Sequence, residues 1–316
     1  MNVQFTAKPT AAFLDKRQLL ITTGISIAYL LLSALLVGFK TDQLWLVAIF
    51  NTCYYLSRPT RRFILGFSIF IVYWIIFDYM KAFPNYMLNT VHIRDLYEAE
   101  KSWFGVLVNG IRITPNEYWL NHTHAWLDII TGILYLCWIP VPLAFGGYLF
   151  YKDRLAFLHF SCTFLFVNLL GFVIYYTYPA APPWYVQLHG FDFYAHTPGN
   201  TAGLARFDAR LGVNIFHSLY EKGSNVFAAM PSLHSAYPLV VLYYALKHTN
   251  VFFKCLFALI SAGIWFSAIY SSHHYILDVI AGILCAGVAT ALYRRVLMRI
   301  PAYERQIGKL HSTITK

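Results

Sequence analysis

The chain has 316 residues, 58% of them hydrophobic and 12% charged, with a mean hydropathy of +0.52. That balance excludes a soluble globular domain and reads as an integral membrane protein, since its apolar runs of about twenty residues match the bilayer core. The formal net charge of +10 does not point to nucleic acid, because the basic residues lie in short loops and the tail and form no single stripe.

In chain order, Lys8, Lys16 and Arg17 precede a first apolar run at 19–38 that lacks a small-residue cleavage site and reads as a retained anchor. Runs at 43–56 and 63–80 follow, separated by the basic stretch Ser57 to Arg62. The segment 81–124 is mixed, and VHIRDLYEAEKSWFG within it interleaves charges with Ile93, Leu96, Tyr97, Trp103 and Phe104, the pattern of an amphipathic helix on the membrane surface. Further runs at 126–150, 155–178, 231–246, 251–271 and 275–293 bring the expected spans to eight. A loop at 179–230, rich in Pro, Gly and aromatics, lies between the fifth and sixth. Trp184 and Tyr185 in it are expected to seat in the headgroup layer, and Pro238 is expected to kink the sixth span. Cys53, Cys137, Cys162, Cys255 and Cys285 all fall in apolar runs with no Cys-x-x-Cys, and read as packed hydrophobes, not disulfides or metal ligands. With the N-terminus on the cytoplasmic side, 16 of the 24 lysines and arginines face the cytoplasm, which the positive-inside rule favours.

Two polar stretches interrupt the apolar pattern at span ends. Pro231-Ser232-Leu233-His234-Ser235 opens the sixth span, and Ser272-His273-His274-Tyr275-Ile276-Leu277-Asp278 joins the seventh to the eighth. The assigned orientation puts both on the non-cytoplasmic face. An ionisable group at membrane depth is costly unless it has a partner or a task. His274 and Asp278 are four apart, so on a helix the carboxylate can orient the imidazole. The Pro-Ser start of the sixth span leaves backbone N–H groups at 232 to 234 free for an anion. His273 reads as an interfacial neighbour. His124 and Asp128 repeat the four-residue spacing at the outer end of the fourth span, either to meet headgroup hydroxyls or to pack the site. Arg206, in the same-side loop, is a candidate phosphate cation, with pairing to Asp208 as the alternative.

At these residues the sequence resembles the type 2 phosphatidic acid phosphatase superfamily, and within it the inositol phosphorylceramide synthases. The motifs that carry the likeness are YPAAPPWY (Tyr178 to Tyr185), TAGLARFD (Thr201 to Asp208), MPSLHS (Met230 to Ser235) and SSHHYILDVIAG (Ser271 to Gly282), with HAWLD (His124 to Asp128) in weaker support. The wider phosphatase pattern has an arginine six residues before the catalytic histidine, where this chain has Ala268; the synthases share that departure.

The resemblance implies an all-α polytopic helix bundle that transfers phosphoinositol from phosphatidylinositol to ceramide or dihydroceramide, releasing diacylglycerol. It implies His274 as the nucleophile, forming a phosphohistidine, Asp278 as its orienting partner, and His234 as general acid and then base. Ser232 and Arg206 would hold the phosphoryl oxygens, with His124 and Asp128 nearby, and neither metal nor cofactor is expected. The expected organisation is N-terminal spans at 1–90, a catalytic core at 91–295 and a basic cytoplasmic tail at 296–316, with the partners being a membrane phospholipid donor and a ceramide-type acceptor. A bacterial inner membrane with a periplasmic site is expected, or a Golgi membrane with a lumenal one. The rival readings are a lipid phosphate phosphatase that uses water as acceptor, and a transporter or scaffold whose histidines only line a path.

Overall fold

A computed structural model describes residues 15–315 except Lys222 and Ser224. The chain is almost wholly helical and divides into two units, 1–65 and 66–316. The first holds α1 (Lys16–Val37), α2 (Thr41–Leu56) and the start of α3 (Arg58–Tyr79). Asp15 caps α1 by accepting the Arg17 N–H, and Gly38 ends it at φ +77, a conformation that favours glycine. The two hairpin helices are tied by polar side chains. Thr22 meets the Tyr55 hydroxyl, and Asn51 donates to Ser26 at 2.9 Å. Leu20, Leu31 and Leu35 stay exposed, as a surface facing lipid would require.

The second unit begins with the rest of α3 and continues through α4 (Arg94–Phe104), a hairpin of β1 (Val106–Val108) and β2 (Ile111–Ile113), and α5 (Pro115–Asn121). Thr114 and Glu117 form a capping box at the start of α5. Next come α6 (Ala125–Leu136), α7 (Pro140–Lys152), α8 (Arg154–Thr177), α9 (Pro183–His189), α10 (Ala205–Leu211), α11 (Ile215–Glu221), α12 (Leu233–His248), α13 (Val251–Tyr270), α14 (Ile276–Arg295) and α15 (Pro301–Thr315). Packing centres on α12, which lies against α13, α14, α8 and α7. Phenylalanines 70, 160 and 164 with Tyr237 and Tyr244 fill the space between α3, α8 and α12 as tilted and edge-on rings. The tail helix α15 buries Ile307 and Ile314 and packs against α8, whose Arg154 donates to the Ile314 carbonyl at 2.6 Å.

Among the described residues, five helical segments are long and apolar enough to cross a membrane: Lys16–Val37, Arg58–Ala82, Arg154–Thr177, Val251–Tyr270 and Ile276–Arg299. Counting α6 and α7, bent by 41° at their junction, as one broken span makes six. Pro140 supplies the break, since it cannot donate to the preceding turn. Of the other expected spans, α2 and α12 have 16 residues each, shorter than a full crossing.

The YPAAPPWY segment is the strap that organises the loops. Its three prolines, Pro179, Pro182 and Pro183, lack N–H groups, and those of Ala180, Ala181 and Trp184 find partners on three sides. Ala180 donates to the Phe227 carbonyl (2.9 Å), Ala181 to His92 (3.0 Å) and Trp184 to Ser272 (3.0 Å). This corrects the expectation of a headgroup-seated loop. Trp184 and Tyr185 belong to α9 and are buried, in a cluster with Ile93, Ala181 and Phe227. Pro238 lies buried inside α12. All five cysteines are free, with Cys255 exposed and Cys285 buried.

Candidate active site

The two polar stretches meet. His234, in the first turn of α12, places Nδ1 3.1 Å from Nε2 of His274, which lies in the junction between α13 and α14. The other nitrogen of His274, Nδ1, faces Oδ2 of Asp278 at 3.6 Å, and the Asp278 side chain is wholly buried. That separation is wider than a hydrogen bond; Oδ1 of Asp278 lacks a partner, and the Ala229 carbonyl is a second acceptor close to His274. Small closure would complete a line from carboxylate through imidazole to imidazole; catalytic hydrogen bonds are often long before substrate binds.

Local backbone forces hold this line in place. Ser272 takes a left-handed φ of +58, which turns the chain sharply after α13, and the N–H groups of His273 and His274 both return to the Ala268 carbonyl at 3.0 Å. Ala268 is wholly buried among Tyr135, Leu204, Phe207 and Ile264, so an arginine side chain has no room there. Asp278 accepts the Tyr275 N–H at 2.8 Å and so caps α14, while its carbonyl accepts the Ser232 N–H at 2.9 Å. The second bond stitches the two motifs together. It is possible because Gly282 lies against Ser232, whose carbonyl oxygen would be 2.1 Å from an added Cβ. Ser232 caps α12 through its hydroxyl, which accepts from the Ser235 N–H and hydroxyl. Its own N–H, expected to be free for an anion, is engaged with Asp278.

Three residues with no expected role complete the support. Glu100 on α4 is fully buried and accepts the N–H groups of Ile276 (2.9 Å) and Leu277 (3.1 Å), the free donors at the start of α14. Burial raises its carboxyl to about 7 against those two bonds, with the Asp278 charge adding to the rise. Asn116, fully buried on α5, donates to the carbonyls of both Ile269 and His274 at 2.9 Å. Trp265 donates from its indole to the Ser235 carbonyl at 3.0 Å. The sequence carried one usable signal for Glu100: it is seven residues after Ile93 and four after Leu96, so it lies on the apolar stripe of its helix, where a charge needs a partner. Asn116 gave none.

Burial sets the charge state of the histidine pair in the turn. It lowers His274 from 6.5 to about 4 and His273 to about 3, so both are neutral imidazoles near pH 7. His273 is not an interfacial ring. It is buried, its Nε2 donates to the Thr201 carbonyl at 2.9 Å, and it stacks on Tyr220.

Arg206 and Asp128 meet each other instead of their expected partners. Arg206 Nε donates to Asp128 Oδ1 and Arg210 Nε to Oδ2, each at 2.7 Å, and the Tyr270 hydroxyl adds a third bond at 2.8 Å. Both carboxylate oxygens are therefore occupied. Asp208, the alternative partner of Arg206, caps α11 by accepting the N–H groups of Phe216 and His217. His124 is exposed at the start of α6, and its N–H donates to the Tyr270 hydroxyl; its four-residue spacing from Asp128 gives only the backbone helix bond. An open cavity of about 600 Å³ borders the arginines, lined by Ala125, Ile129, Arg206, Ala209 and Arg210. Among the described residues no His, Cys, Asp and Glu cluster has metal-binding geometry.

A family model described as the PAP2 superfamily matches residues 110–292. A phosphoinositol dihydroceramide synthase of Bacteroides thetaiotaomicron is 43% identical over 302 residues, covering 95% of this chain and 99% of that protein. An inositol phosphorylceramide synthase of Candida albicans is 28% identical, over 76% of this chain and 50% of its own length. The inositol phosphorylceramide synthase catalytic subunit AUR1 of Saccharomyces cerevisiae is 27% identical, over 75% of this chain and 59% of its own. No solved structure matches the chain.

Proposed function

We propose, from the premise that this chain belongs to the PAP2 superfamily, that it transfers phosphoinositol from phosphatidylinositol to ceramide or dihydroceramide and releases diacylglycerol. The observation that carries this reading is the 3.1 Å contact between His234 and His274, in a chain that matches a phosphoinositol dihydroceramide synthase along nearly its whole length.

The geometry supports the following route. With Nδ1 of His274 turned to Asp278, the lone pair on Nε2 is the nucleophile. In the resting site that lone pair accepts from Nδ1 of His234, so a donor phosphate must enter between the two rings and part them. Nε2 attacks phosphorus, the bond to the diacylglycerol oxygen breaks, and His234, carrying a second proton as imidazolium beside the anionic phosphodiester, supplies that proton to the leaving oxygen. Asp278 stabilises the positive charge that develops on His274. Ceramide then replaces diacylglycerol, His234 takes the proton of its hydroxyl, and that oxygen displaces His274 from phosphorus. Arg206 and Arg210 line the cavity, where their guanidinium groups suit an anionic headgroup; Asp128 positions them, with Oδ1 bonded twice and Oδ2 once. Ser232 orders the start of α12, and exposed His124 lies at the rim of the same cluster.

Eight crossings follow if α2, α12 and the bent α6–α7 pair are added to the five long spans. With the N-terminus cytoplasmic, the histidines face outward, consistent with a bacterial inner membrane and a periplasmic site, or with a lumenal site in a Golgi membrane. In this reading residues 91–295 form the catalytic core, between the N-terminal spans at 1–90 and a cytoplasmic tail at 296–316.

The test is product analysis of purified protein given labelled phosphatidylinositol with and without ceramide. Ceramide-dependent inositol phosphorylceramide is the expected product. Inositol phosphate released at the same rate whether or not ceramide is present would overturn transfer in favour of hydrolysis.

A further inference from the structure

Beside the histidine pair lie two aromatic rings whose hydroxyls have only each other to bind. Tyr135 on α6 is fully buried, its ring 5.2 Å from that of His234 and 5.6 Å from that of His273. Tyr220 on α11 stacks on His273 from 4.4 Å. The two hydroxyls face each other, both are sealed from solvent, and no other group bonds either of them. Two buried hydroxyls with only each other leave one O–H donor unused, and native proteins place few such groups. That spare donor, at rings beside the proposed general acid and the neighbour of the proposed nucleophile, marks a place where a ligand completes the bonding.

We propose that Tyr135 and Tyr220 are substrate-contacting residues, whose hydroxyls donate to the non-bridging oxygens of the phosphoryl group while it is transferred. The proposal rests on the phosphotransfer reading above. A phenol is a donor suited to an oxyanion, and fixed donors aimed at developing charge in a water-poor site are strong contributors to rate. Burial keeps the Tyr220 hydroxyl protonated well above neutral pH, so it remains a donor throughout the working range. Its position is fixed from behind: Gly199 packs on the Tyr220 carbonyl, where a Cβ would approach to 2.3 Å, and the Gly223 N–H donates to the same oxygen at 2.9 Å. The pair also supplies donors near the reacting atoms, where Arg206 and Arg210 are partly engaged with Asp128.

Tyr135→Phe, Tyr220→Phe and the double variant keep the rings and remove only the hydroxyls. With phosphatidylinositol and ceramide, each single variant is expected to lose about 10- to 100-fold in kcat, with KM for ceramide unchanged and Tm equal to or above that of the parent. Orthovanadate, which mimics a five-coordinate phosphoryl group, is expected to raise Tm in the parent and to do so less in the variants. Wild-type rates in the double variant would overturn the proposal, as would a loss confined to the KM for ceramide. A fall in Tm with kcat retained would assign the hydroxyls to bonding each other. Failure of the parent to form inositol phosphorylceramide would strike at the proposed reaction, and the vanadate shift would still report on phosphoryl binding.

Discussion

At the scale of single residues, the proposed role of His274 as nucleophile depends on a neutral imidazole. Lowering of His274 to about 4 means that the folded chain holds that proton less tightly than the unfolded chain does. Its contribution to stability is present above about pH 6.5 and is lost as pH falls toward 4. The proposed nucleophile is neutral over the same upper range, so the limb of the rate profile that reports His274 is expected near pH 4, and initial rates measured in mixed micelles from about pH 3 to pH 8 check this. Asp278→Asn keeps the shape of the side chain but removes the charge proposed to orient and stabilise His274. A loss of about 10²- to 10⁴-fold in kcat is expected, with the fold retained by circular dichroism. The approach of these two residues was legible from spacing and span position, and their proposed roles only from the family resemblance. The commitment of Arg206 to Asp128 was not, because the partners are 78 positions apart and only the packing of α10 on α6 brings them together.

At the scale of elements, the start of α14 is where several segments converge. Glu100 from α4 bonds its first N–H groups, Asn116 from α5 holds the turn before it, and Ser232 from the start of α12 bonds the Asp278 carbonyl. The raised carboxyl of Glu100 has the opposite sign to that of His274. The folded chain binds this proton more tightly, so its contribution to stability is complete below about pH 4.5 and is lost as pH rises through about 7. Glu100→Gln is expected to flatten the fall of Tm between pH 5 and 7.5, as measured by thermal unfolding in detergent. Gly282→Ala places a methyl group where the Ser232 carbonyl stands. It is expected to destabilise by about 1–3 kcal/mol and to lower activity by parting the two motifs. Hydrophobic pattern located the helices on either side of the site, but it treated α4 as a surface helix. Amphipathicity records which residues are apolar and cannot tell whether a single charge on that face is capping another helix.

At the scale of the whole molecule, the apolar runs read from sequence match most of the long helices, and differ where Pro140 breaks one run into α6 and α7. The loop at 179–230 was legible only as proline and aromatic composition. Its role as a strap between His92, Phe227 and Ser272 depends on which N–H groups the prolines leave, and on long-range partners. The proposed orientation puts the β1–β2 turn at Asn109 outside and α15 inside. In a Cys255→Ser background, a cysteine at Asn109 is expected to react with an impermeant maleimide in intact cells, and one at Lys309 only after permeabilisation; the reverse pattern would contradict the orientation. The covalent route through His274 is tested most directly by trapping. Protein is mixed with phosphatidylinositol labelled in its phosphate, without ceramide, then quenched rapidly in alkali and separated from lipid. An acid-labile label on the wild-type chain, absent from His274→Ala and removed by a chase of ceramide with matching formation of labelled inositol phosphorylceramide, is the expected result. Full ceramide-dependent product formation with no label ever on the protein would contradict it.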